Sequence, residues 1–257
     1  MKKLALACGA FLLMLSSCSS SSDSSSSSTN DDVLVSKTVE TYALDGTVIT
    51  TDYTYSGKKM VQETDDDGTH TEYTYAGNLI TKIEYYDDTD TLEQTELFTY
   101  NGSSQLASYT RLEHFDDLGY KDTYVYNSNG TVSSTSNSGD LSSQDDLVGT
   151  AIIHFEDNEV SLVEEFSDVG TQTGTRTYTY DTKKNPFKNV IGFDKLTFVE
   201  NEAIGIHHNI VSDNHTEFGI LTTYTTTYTY NTENFPLTQL ESGADPSDDI
   251  TTEYTYQ

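Results

Sequence analysis

The chain has 257 residues and sets 42 acidic side chains against 13 basic ones, a formal charge of −29. That balance repels a phosphate backbone, and no basic stripe interrupts it, so nucleic acid is excluded as a partner and anionic headgroups are disfavoured as a docking surface. Leu, Ile, Val and Phe number only 55, near the compositional border of disorder, and the case for a folded core rests on 19 tyrosines placed periodically.

Residues 1–17 read as a secretory signal. Lys2 and Lys3 precede an apolar run from Leu4 to Leu15, too short to span a bilayer as a stable helix. The run ends in Leu15-Ser16-Ser17-Cys18-Ser19, which resembles the lipobox of bacterial lipoproteins. The resemblance implies that Cys18 is acylated, becomes the first mature residue and joins the protein to a membrane, several acyl chains on one cysteine giving durable anchoring. Cys8 lies inside the signal, so no disulfide is expected. Residues 18–31 are serine-rich and form a flexible tether with a reach of roughly 20 Å. Serine directly after the lipidated cysteine resembles the sorting signal for the outer membrane.

From residue 32 to 257 the chain repeats an aromatic-x-aromatic unit followed by a turn. The copies are Tyr53-Thr54-Tyr55, Tyr73-Thr74-Tyr75, Phe98-Thr99-Tyr100, Tyr124-Val125-Tyr126, Tyr178-Thr179-Tyr180, Tyr228-Thr229-Tyr230 and Tyr254-Thr255-Tyr256, with Ile153-His154-Phe155 as a degenerate copy near the middle. Threonine between rings is the period-2 pattern of a strand with one buried face, and the glycine, asparagine and aspartate that follow suit tight hairpins. Each unit therefore predicts one hairpin. The spacing of 50 residues between Tyr180 and Tyr230 reads as a further unit that has lost its tyrosines, around Ile204 to Ile210. The predicted fold is all-β: an antiparallel meander of about 16–18 strands in a curved or barrel-like, soluble sheet, because the face opposite the tyrosines is too polar for the apolar band of a lipid-facing barrel.

The tyrosine units look like the tyrosine-aspartate repeats of Rhs-type secreted proteins. More closely, lipobox, serine tether, degenerate repeats and the unit from Tyr178 through Asn185-Pro186-Phe187 resemble a family of uncharacterised bacterial outer-membrane lipoproteins with a porin-like β fold. That resemblance implies a fold and a location, and no chemistry.

Among candidate sites, His207, His208 and His215, with Asp213 and Glu217 nearby, come closest to a metal constellation. Adjacent histidines on a strand face opposite ways, so only one of the first two can join His215, and surface histidines are the preferred interpretation. Asp65-Asp66-Asp67-Gly68 and Asp87-Asp88-Thr89-Asp90 fit no helix-flanked calcium loop and are expected to be hairpin turns, with a structural Ca²⁺ at Asp65 and Asp67 as the alternative and no other cofactor. Tyr75, Tyr126, Tyr180 and Tyr230 are either core or a ligand-binding face. Core is favoured, since Leu and Ile are too few to build one without them, and the lack of tryptophan weakens a glycan site.

No Gly-x-Ser-x-Gly elbow or phosphate loop is present, and 42 carboxylates make any single pair uninformative. The expected role is non-enzymatic binding or scaffolding of a protein or carbohydrate ligand at the outer membrane, on its periplasmic face or the cell surface. The alternatives are a carboxylate-based hydrolase or lyase acting on polysaccharide, and a purely structural acidic surface protein.

Overall fold

The computed structural model describes residues 33–257; the signal, Cys18 and the serine tether lie outside them. The chain winds into a closed antiparallel barrel of 16 strands in simple meander order, with β1 paired to β16. The first half comprises β1 (Val35–Tyr42), β2 (Val48–Ser56), β3 (Lys59–Asp65), β4 (His70–Ala76), β5 (Leu79–Tyr86), β6 (Leu92–Tyr100), β7 (Leu106–Glu113) and β8 (Leu118–Tyr126). The second comprises β9 (Val132–Gly139), β10 (Asp146–Glu156), β11 (Glu159–Ser167), β12 (Gln172–Tyr180), β13 (Ile210–Glu217), β14 (Ile220–Tyr230), β15 (Pro236–Ser242) and β16 (Ile250–Tyr256). The predicted antiparallel meander is thus realised at 16 strands, closed so that no edge is left exposed.

Every even-numbered strand runs the same way and ends in its repeat pair, aromatic-x-aromatic in seven and Ile153-His154-Phe155 in β10, so all eight pairs ring one end of the barrel. The paired side chains point inward and the residues between them, mostly threonine, point out. Opposite the second aromatic, the neighbouring strand carries a bulge, as at Tyr75 against Ile80, Tyr100 against Leu106, Phe155 against Val160 and Tyr230 against Pro236. A bulge disrupts the ladder locally, and tyrosines use the carbonyls at these points. Tyr100 donates to the Ile80 carbonyl (2.7 Å), Tyr126 to Leu106 (3.1 Å), Tyr180 to Val160 (2.7 Å) and Tyr256 to Pro236 (2.6 Å). This explains tyrosine rather than phenylalanine at the second position, because the hydroxyl ties each hairpin to an earlier one while the ring fills the interior.

The outer face is polar. Lys37 pairs with Asp52 at 3.0 Å, Lys82 with Glu84 at 2.6 Å, and hydroxyls meet across strands at Thr99–Ser108 and Thr229–Thr238, both 2.7 Å.

One connection breaks the pattern. Residues 181–209, between β12 and β13, fold back into the barrel as a plug with two short 3₁₀ turns, Phe193–Lys195 and Val199–Asn201. The lost hairpin expected around Ile204 to Ile210 is therefore not there: Ile206 is a buried plug residue, and Ile210 opens β13. The double spacing has a different physical origin. A ring of 16 inward-facing strands encloses more space than its own side chains fill, and the plug supplies the missing core.

Candidate functional site

The plug seals the tyrosine-ringed end. Val190, Leu196, Phe198 and Ile206 are buried in it, and its aromatic rings meet those of the wall. Phe198 lies edge-on to Tyr124 (5.1 Å between ring centroids), Phe155 (5.7 Å) and Tyr126 (6.3 Å). Phe187 and Phe193 reach the opposite wall at Tyr53 and Tyr73, 5.5 and 6.1 Å away. Just before the first 3₁₀ turn of the plug, Gly192 has φ 94°, and a Cβ there would stand 3.1 Å from both the Asn78 carbonyl and Ile80 Cγ1, so glycine is required.

Two acceptors hold the neck of the plug, Asp181 half-buried and Glu159 buried. Asp181 accepts from the backbone of Lys183 (2.9 Å) and from the backbone and side chain of Asn209 (3.2 and 3.1 Å), as well as from the Tyr230 hydroxyl. Glu159, only 3% exposed, accepts from the backbone N–H of His207 (3.1 Å) and His208 (2.7 Å).

The chain's only two arginines, Arg111 and Arg176, both face the lumen, and each meets a plug carboxylate. Glu200 pairs with Arg111 and accepts from the Tyr109 hydroxyl (3.1 Å), and Glu202 pairs with Arg176. Glu200 and Asn201 take left-handed backbone conformations, φ 59° and 61°, uncommon for glutamate and better tolerated by asparagine. Consecutive strained residues mark a segment whose shape is dictated by what it touches.

On the other side of the plug the barrel is hollow. Connections at that end are short, from residues 218–219 to 243–249, and none of them matches the plug in length. A cavity of about 560 Å³ lies between the plug and the wall from β12 to β16. Tyr178, Tyr224, Tyr228 and Tyr254 supply aromatic surface, and Asp213, Glu202 and Glu241 supply charge. Burial raises the pKa of Asp213, with Arg176 drawing it back and Glu202 pushing it up. Burial likewise raises Glu241, assisted by the charges of Asp213 and Glu40. One Asp213 carboxylate oxygen is buried with no hydrogen-bond partner. A smaller cavity of about 310 Å³, lined by Tyr73, Tyr85, Glu96 and Glu200, lies on the far side of the plug.

The rim of the hollow end combines acid and exposed apolar tips. Phe115 is 94% exposed, Val169 79%, Phe218 78% and Leu44 73%, each on a turn between strands.

The structure disperses the predicted metal ligands. His207 and His208 lie in the plug rather than on a strand, while His215 stands on β13 facing Glu165 at 3.6 Å. Asp65 accepts from Thr51 (2.6 Å) and Thr69 (3.1 Å), and Asp67 accepts from the Thr69 backbone at 2.9 Å in an Asx turn. No group of three metal-type side chains converges among the described residues. Of the tyrosines singled out, Tyr126, Tyr180 and Tyr230 are tied by hydrogen bonds at the sealed end, and Tyr75 lies under the Lys59 ammonium, 5.4 Å away. The rings facing the cavity are others, at 178, 224, 228 and 254. Arg176 was the available sequence signal: it falls two residues before Tyr178, in register with the inward rings, and a cation on that face needs a partner.

Neither a protein-family model nor any curated protein matches this sequence. Solved structures do share the architecture. A porin-like protein from Bacteroides vulgatus superposes with a TM-score of 0.52 at 11% identity, over 87% of this chain and 99% of that one. A porin-like protein from Bacteroides uniformis gives 0.48 at 13% identity, over 87% and 98%. The Bacteroides vulgatus superposition and the closed strand order make the fold a porin-like β-barrel, plugged at one end in this chain.

Proposed function

We propose that this protein is a lipid-anchored component of the cell envelope that binds a ligand inside its half-hollow barrel and performs no reaction on it. The observation that carries the proposal is the asymmetry of the lumen. One end is packed shut by aromatic contacts of the plug, which disfavours a through-channel, and beside the plug stands a cavity of about 560 Å³ with aromatic walls, where an Asp213 carboxylate oxygen and the Tyr178 hydroxyl are buried without partners. The polar outer wall argues for a barrel that stands in water, since a lipid-facing one needs an apolar band about 25 Å tall. β1 begins at the plugged end, so an anchored chain would enter the barrel on that side.

The location is tested by fractionation. Wild-type protein should sediment with membranes after a carbonate wash, and Cys18→Ala should move to the soluble fraction. If the variant stays with the washed membranes, the wall itself contacts lipid and the proposal fails.

A further inference from the structure

We infer that the cavity beside the plug is a site for a compact organic cation, an ammonium or guanidinium group carried on a short chain; this rests on the binding role proposed above. Four observations converge. Arg176 is the only cation among the lining residues and is paired with Glu202, so that it and His215 offset Asp213 only in part, while Glu241 meets only the like charges of Asp213 and Glu40. Asp213 keeps a buried oxygen with no donor, a cost that a ligand N–H would remove. Tyr178, only 6% exposed, lines the same space, and its hydroxyl, beside the Ala203 backbone, makes no well-formed hydrogen bond. Finally, Tyr224, Tyr228 and Tyr254 present ring surface, to which cations are attracted and anions are not.

The alternatives are weaker on the same grounds. An anion would meet Glu241 with no cation beside it and Asp213 only partly offset. A neutral sugar would satisfy the free Asp213 oxygen but leave the charge imbalance in a partly desolvated space, where it costs most.

The test is calorimetric titration of the full chain in detergent with spermidine, and separately with maltose. Spermidine should bind with one-to-one stoichiometry and maltose should not. Asp213→Asn combined with Glu241→Gln should weaken spermidine by about ten-fold or more, the loss of a charge-assisted contact. Asp87→Asn with Asp88→Asn, on an outer turn, should change it by less than about two-fold, as expected for screened surface charge. Gln239→Lys offers a second approach, because it places an ammonium in the cavity while keeping both carboxylates, and it should abolish spermidine binding. Equal losses in the cavity and turn variants, or undiminished binding in Gln239→Lys, would overturn the site. Maltose binding without spermidine binding overturns the cation class and leaves the binding role standing, whereas binding of neither probe removes both.

Discussion

Glu63 illustrates how a single residue senses the barrel interior. It faces the lumen from β3 and accepts a hydrogen bond from the Tyr73 hydroxyl. Burial raises its pKa from 4.5 to about 7, the Tyr73 bond opposing the rise and the charges of Asp65 and Glu40 adding to it. A carboxyl whose folded pKa lies above its unfolded one contributes stability that is complete below the unfolded value and is lost as pH climbs through the folded one. The protein should therefore lose stability between about pH 4.5 and 7 from this group, by at most about 3 kcal/mol. Glu63→Gln, which cannot ionise, should match wild type in melting temperature near pH 4.5 and melt several degrees higher at pH 8. Equal melting at both pH values would show that Glu63 is hydrated. At this scale the sequence was partly readable. Inward tyrosines announce themselves by alternation, but nothing local to Glu200 or Glu202 reveals that they reach an arginine on a distant strand.

Among elements, the strands were readable and the plug was not. Period-2 alternation followed by turn residues is a signal contained within each hairpin, so 16 strands emerge from local pattern and closure follows from their number. Residues 181–209 have no periodicity, because their apolar side chains are spaced to fit sockets formed by other elements. Absence of the tyrosine repeat there was compatible with a decayed hairpin until the three-dimensional structure showed an inserted segment. The cavity shares this opacity, since its lining comes from β12 to β16 and the plug together. Phe198 is the plug's main aromatic anchor, 5% exposed. Phe198→Ala should destabilise by about 3–5 kcal/mol in urea unfolding, as truncation of a packed ring does. Phe115→Ala, at a tip 94% exposed, should stay within about 0.5 kcal/mol. Similar losses for the two would mean that the plug contributes little to the fold.

For the whole molecule, closure is the controlling feature. β16 supplies both the seam with β1, from Val35 opposite Tyr256 to Tyr42 opposite Ile250, and the inward side chains Thr252, Tyr254 and Tyr256. Deleting residues 250–257 should leave β1 and β15 with unpaired edges, and size-exclusion chromatography should find oligomers or aggregate in place of a monomer. A monomeric truncated protein would mean that the open ring protects its own edges.

The seam also fixes an order of events in time. Val35 is synthesised early and its partner Tyr256 late, so the ring cannot shut until the whole domain has left the ribosome and, for an exported chain, has cleared the translocation pore. Until then the growing sheet carries a bare edge at each end. High negative charge is well suited to that interval, because two such chains emerging side by side repel each other before their edges can pair.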